Sequence, residues 1–119
     1  MGYRNVLPVK VVQADGSRVS VEGPGGVRLG GVAMQALDAG SAVAAIRPDE
    51  IVIGEGPNAF AGTVESAEYG GREWLLQVKT AFDDLLYVRS PRNAGVGESV
   101  MLSVPADRVL VYPLQPEEA

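Results

Sequence analysis

The sequence has no cysteine and no histidine. Without cysteine there is no disulfide, no thiolate nucleophile and no sulfur-ligated metal. Without histidine the commonest general base and the commonest metal ligand are both missing. Ser-His and Cys-His nucleophile systems are therefore excluded, and a zinc, copper or haem site would have to be built from carboxylates alone. Lysine occurs twice, at Lys10 and Lys79, and aromatic residues make up 6% of the chain. No apolar run reaches the roughly 20 residues that a transmembrane helix needs, and Met1 to Lys10 lacks the apolar stretch of a secretory leader. A soluble cytoplasmic protein is the expectation.

What is present is acid, unevenly placed. Residues 1–47 carry five basic and three acidic side chains, a balance of +2, while residues 48–119 carry five basic and twelve acidic ones, a balance of −7. A surface that tracks phosphates needs clustered Lys and Arg. The chain has no such cluster, and its few aromatics are scattered, so a nucleic-acid partner is not expected. Its 119 residues suit a single domain that can bury about two thirds of its unfolded surface.

Helical periodicity is nearly absent. Short apolar or alternating runs recur instead, each ended by Gly, Pro, Asn or Asp. Val6 to Val12 predicts a strand, Asp15-Gly16 a hairpin turn and Ser17 to Glu22 the return strand. Gly23-Pro24-Gly25-Gly26 predicts the next turn, before a strand at Val27 to Leu29. Between Gly31 and Gly40 one helical turn and an extended strand with a loop are equally compatible. Ser41 to Arg47 and Ile51 to Ile53 follow as strands. In the second half, Ala59 to Tyr69 predicts one long strand with Phe60, Thr63 and Val64 interleaved with Gly62, Glu65 and Glu68. Gly70-Gly71 turns it into Glu73 to Thr80. Leu85 to Arg89, Ser99 to Val104 and Val109 to Tyr112 complete the set, with a tight turn at Pro105 to Arg108. About ten short strands without crossover helices predict an all-β barrel or sandwich. Residues 1–119 are expected to form one domain, with N-terminal strands over 5–54, a core motif over 55–113 and a frayed tail over 114–119.

Several segments, in order, carry a family resemblance. Ala45-Ile46-Arg47-Pro48-Asp49 resembles the A-I-R-P-E element of the transport-associated OB (TOBE) domain. Asn58-Ala59-Phe60-Ala61-Gly62-Thr63-Val64 resembles that family's N-x-hydrophobic-x-G-x-V strand, and Gly97 to Pro105 its G-x-x-V-x-L-x-v-P strand. Asn5-Val6-Leu7-Pro8 is similar to the N-F-L-P-G segment that follows the nucleotide-binding domain of such ATPases. Asp49 replaces the usual Glu, and Val9 a common Gly. The resemblance covers nearly the whole chain and is nearest to importers of the spermidine/putrescine, ferric-iron and sugar type. It implies an OB-like barrel of short antiparallel strands with extra N-terminal strands. It also implies a non-catalytic regulatory and dimerisation role at the C-terminus of an ABC importer ATPase, peripheral to the inner membrane through the transporter. The implied partners are a second copy and the ATPase domain, with no cofactor and no metal. The alternative is a stand-alone protein that binds a small ligand or an oxyanion.

Candidate contact residues are few. Gly23 to Gly31 lacks the Lys-Ser/Thr of a P-loop, so a turn is the better reading and no ATP motif remains. Asp49-Glu50 and Asp83-Asp84 are adjacent carboxylates, which on a strand point to opposite faces and so do not converge on a cation. Arg47, held between an apolar run and Pro48, offers a guanidinium to a carboxylate of the domain or of a partner. Trp74 is either sheet-face packing or an interface aromatic. Ser90 and Arg92 could present a hydroxyl and a guanidinium to an anion. Molybdate-binding relatives of the fold use Ser, Lys and backbone N–H groups between subunits for that purpose, whereas Gly56-Pro57 here stands where those relatives often carry Ser-Arg. Leu85 to Val88 and Val109 to Tyr112 are more apolar than a two-faced strand needs, which predicts an exterior patch for self-association.

Overall fold

A computed structural model describes residues 5–23, 26–37, 40–80 and 85–113. Asp83-Asp84, Pro24-Gly25 of the expected turn and the tail over 114–119 lie outside the described residues. Ten strands follow in order: β1 (Asn5–Asp15), β2 (Arg18–Glu22), β3 (Arg28–Ala33), β4 (Gly40–Ile46), β5 (Val52–Ile53), β6 (Phe60–Tyr69), β7 (Trp74–Thr80), β8 (Leu85–Ser90), β9 (Ser99–Ser103) and β10 (Leu110–Pro113). Short 3₁₀ turns at Pro48–Glu50 and Ala106–Arg108 precede β5 and β10. Strand alternation does what period-2 patterning requires: in β1, Asn5, Leu7, Val9 and Val11 point inward while Val6, Pro8 and Lys10 point out. The buried side chains form one contiguous cluster.

The strands make two sheets. β1-β2-β3-β10-β4 closes into a barrel, and β5-β9-β6-β7-β8 forms a five-stranded sheet. Read around the barrel from β10, the order β10-β4-β1-β2-β3 is repeated as β5-β9-β6-β7-β8. The chain is thus an internal duplication in which each half gives its fifth strand to the other. The details repeat as well. The long strands β1 and β6 are each interrupted by a register shift, at Val11/Gln13 and Val64/Ser66. The 3₁₀ turns close alike, Glu50 N–H donating to Arg47 O and Arg108 N–H to Pro105 O, both at 3.0 Å. Glu50 and Arg108 occupy matching positions in the two turns and meet as an ion pair at 3.7 Å, which places them on the pseudo-two-fold axis.

Two asparagines tie the halves together. The Asn58 Oδ1 accepts from Gly30 N–H at 2.9 Å, and its Nδ2 donates to Gly30 O at 3.0 Å and Val104 O at 3.1 Å. Buried Asn5 does the same for Tyr87, accepting from its N–H at 2.7 Å and donating to its carbonyl at 2.9 Å. Gly30 and Tyr87 are the third residues of β3 and β8. Each side chain supplies one acceptor and one donor to the backbone of a strand residue in the other half, as a neighbouring strand would.

The repeat breaks at one place. In the first half, Val32 N–H donates to Val109 O and Met34 N–H to Val111 O, both at 2.9 Å, and these bonds close the barrel through the parallel β3–β10 pair. The residue matching Met34 in the second half is Pro91, which has no N–H to give. β8 and β5 accordingly remain the two edges of an open sheet. Replacing Pro91 with Met restores the donor. The expected result is slower hydrogen exchange at the Arg89 amide with little change in overall stability, because a new hydrogen bond gains about as much as the lost proline rigidity costs, ~1 kcal/mol each. Unchanged exchange at Arg89 would mean that something other than the missing donor holds the seam open.

Two expectations need correction, and one open alternative is decided. In β6 the inward residues are Phe60, Gly62 and Val64, with Thr63 outward, because a Cβ on Gly62 would collide with the Val78 side chain. Of the two alternatives left open after Gly31, the extended one holds: β3 runs on to Ala33 and is followed by a bend at Met34 and Gln35. The β10–β3 pair is parallel, in an otherwise antiparallel fold.

Candidate functional site

The open seam between β5 and β8 is a groove of about 230 Å³, and its wall includes Asp49, Ile51, Arg89, Ser90, Pro91 and Arg92. Two of the four contact residues expected from the sequence, Ser90 and Arg92, lie there. Ser90 is buried, and its hydroxyl both donates to Arg92 O at 2.7 Å and accepts from Arg92 N–H at 3.1 Å. The hydroxyl therefore shapes the loop, as Ser in a local turn does, before it can meet a ligand. The Arg92 side chain is exposed. Arg47 is 70% exposed and its Nε lies 3.5 Å from Asp49 Oδ1, a short-range pair on the approach to the groove. Such an exposed pair contributes little to stability.

Trp74 sits on the neighbouring surface. It pairs across the β6–β7 hairpin with Tyr69, ring centroids 5.2 Å apart and tilted by 52°. Trp74 is half-buried against the core, whereas Tyr69 is 57% exposed. The Tyr69 hydroxyl donates to Gly71 O at 2.8 Å, which steadies the turn. Glu68, Arg72, Glu73 and Arg89 line a broad concavity of about 600 Å³ around the two rings. Arg89 Nη1 stands 3.7 Å from Glu73 Oε2, so the charges there partly offset one another. The matching β1–β2 hairpin ends on Asp15 opposite Arg18 and needs no aromatic pair. The pair is thus an addition to the fold, and the sequence signal for it is the spacing Tyr69-Gly-Gly-x-x-Trp74, which brings the two rings opposite one another across a four-residue turn. Sequence reasoning also left Asn5 and Asn58 without a role. They are the opening letters of two family-like segments, and their work becomes visible only when the halves are seen together.

Chemically, this surface offers guanidinium groups, carboxylates, a short apolar groove and two aromatic rings. Among the described residues no cluster of three or more Asp and Glu side chains is placed to hold a metal, and every buried side-chain polar atom has a hydrogen-bond partner. No helix among the described residues is long and apolar enough to cross a membrane.

Comparison with known proteins agrees with this architecture. The chain is 31% identical over 118 residues to the spermidine/putrescine import ATP-binding protein PotA 1 of Pseudomonas aeruginosa, a match that covers 93% of this chain and 32% of that protein. The chain thus spans about a third of the length of the curated relative it matches. Among solved structures, the molybdate-bound crystal form of the cytoplasmic molybdate-binding protein ModG superimposes with a TM-score of 0.78, covering 93% of this chain and 96% of that one at 18% identity, a likeness of fold. The TOBE domain family matches residues 44–111, more than half of the chain. This chain belongs to the TOBE domain family.

Proposed function

We propose that this chain is a non-catalytic regulatory module of an ABC importer ATPase, acting at the cytoplasmic face of the membrane through the transporter. The observation that carries this reading is the 31% identity across nearly the whole chain to part of an import ATP-binding protein. The exchange of β5 and β10 between the halves supports treating residues 5–113 as one folding unit, since neither sheet is complete without a strand from the other half. In this role the module associates with a second copy and with the ATPase domain. Pure protein is expected to show no ATP turnover, because the chain lacks a Walker-type Lys-Ser/Thr and a histidine base. ATP hydrolysis that a point change within the chain abolishes would contradict the reading.

A second reading, a stand-alone oxyanion-binding protein, draws on the fold shared with molybdate-bound ModG. The two readings separate on calorimetric titration of the purified chain with molybdate, using sulfate as a control. Regulation without a bound anion predicts no saturable heat. Saturable molybdate binding that sulfate does not reproduce would favour the second.

A further inference from the structure

Strands β4, β10, β5 and β9 present no charged side chain, in a chain whose composition is 21% charged. On the first half, register places Val6, Ala45 and Leu110 in one row and Pro8, Val43 and Tyr112 in the next, with Lys10 beside Ser41 at the end. Val6 is 55% exposed, and Val43, Ala45, Leu110 and Tyr112 are half-buried on the barrel's exterior. On the second half the matching sites are Val52, Ala61 beside Met101, and Thr63 beside Ser99. None of these is charged. The two faces differ in relief. The first carries a concavity of about 410 Å³ with Pro8, Lys10, Glu22, Ser41 and Val43 in its wall. At the position matching Val43, the second presents Met101, 40% exposed.

We propose that the first-half face of one copy docks on the second-half face of another, with Met101 entering the concavity beside Pro8 and Val43. This rests on the reading of the chain as a self-associating module and names the surfaces it uses. The occupant is a second copy because one chain presents both members of the match. The faces share one strand geometry through the internal two-fold, one is hollow where the other projects, and each carries little net charge, with Lys10 beside Glu22 at the rim of the hollow and Lys79 beside Thr63 on the second face. Methionine suits such a contact, since its unbranched thioether adapts to an irregular pocket. The contact is heterologous, so it permits assemblies larger than a dimer.

The absence of cysteine makes the test clean. Val43→Cys and Met101→Cys proteins, distinguished by a tag, are mixed under mild oxidation, and sedimentation equilibrium is run in parallel on the unmodified chain, Met101→Glu and Leu85→Glu. The expected result is a mixed cross-link several-fold faster than either same-variant cross-link. The unmodified chain gains mass with concentration, Met101→Glu is shifted toward monomer, and Leu85→Glu, exposed but outside both faces, associates as before. Circular dichroism confirms that each variant is folded. A monomer at every concentration would overturn self-association itself. Association that Met101→Glu leaves intact, or cross-links no faster in the mixture, would overturn the assignment of faces while leaving self-association standing.

Discussion

Replacing Asn58 with Ala is expected to destabilise the protein by about 3 kcal/mol, from three lost hydrogen bonds whose backbone partners are left unmet. The bonds run to Gly30 N–H, Gly30 O and Val104 O, and so join β3 to the segment that follows β9. Asn58 is also the only non-glycine among the described residues with a positive φ, +56°. Asn tolerates that conformation better than Ala, so the Ala variant adds backbone strain of roughly 1 kcal/mol. Asn58→Gly removes the strain but not the loss of bonds, and should fall between wild type and Ala. Asn58→Asp keeps the acceptor for Gly30 N–H but turns a carboxylate toward two carbonyl oxygens, and should be no better than Gly. Urea unfolding of the four proteins checks the order. Equal midpoints for wild type and Asn58→Gly would mean that these three hydrogen bonds add nothing net to stability.

The second large effect concerns adjacent glycines with opposite expectations. A Cβ on Gly31 would lie 2.8 Å from Val109 O, 3.0 Å from Val111 Cγ2 and 3.2 Å from Val109 Cγ1. All three atoms belong to the segment that closes the first barrel, and the nearest is backbone that cannot swing away. Gly31→Ala should therefore push β10 off β3 at a cost of about 3 kcal/mol, the upper end of overpacking penalties. A Cβ on Gly30 meets nothing nearer than Ala106 Cβ at 3.6 Å. Gly30→Ala should stay within about 1 kcal/mol of wild type, since relief of glycine's chain entropy offsets any crowding. Thermal melts resolve the pair, at roughly 4 °C per kcal/mol. Comparable losses at both positions would show that crowding against β10 is not the cause.

How much of this was legible in the sequence differs by level. The strands were, because alternation and turn residues are local signals: Asp15-Gly16 and Gly70-Gly71 mark hairpins wherever they occur. Segments resembling the TOBE domain led to the family that matches residues 44–111. The exchange of β5 and β10 was not legible. Val52-Ile53 and Leu110-Val111 read as ordinary short strands, and nothing within them says which sheet they join. That choice depends on the 3₁₀ turns before them and on which half offers a free β3 or β8 edge. The duplication escaped notice for a related reason. Little more than Asn5/Asn58, Asp49/Asp107 and hydrophobic spacing survives between the halves, and those residues acquire a common meaning only through Gly30 and Tyr87. Gly62 was placed on the wrong side of β6 because glycine has no side chain to announce a buried position, while Val78 opposite makes glycine necessary there. The apolar excess of Val109 to Tyr112 arises from two sources: Val109 and Val111 are core, and Leu110 and Tyr112 lie on the exterior face. Of the expected contact residues, Ser90 and Arg92 share the seam, whereas Arg47 and Trp74 stand on its margins, a grouping set by β8 and not by sequence distance.

The regulatory reading is tested most directly by ATPase activity in a chimera. The third of the Pseudomonas aeruginosa import ATP-binding protein that this chain matches is replaced by the chain, and ATP hydrolysis of the assembled transporter is compared with that of a form truncated at the same point. The chimera is expected to regain solute-dependent hydrolysis lost or altered by truncation, and Asn58→Ala within it to weaken that recovery in step with stability. A chimera indistinguishable from the truncated protein, while its appended module is folded, would contradict the regulatory reading.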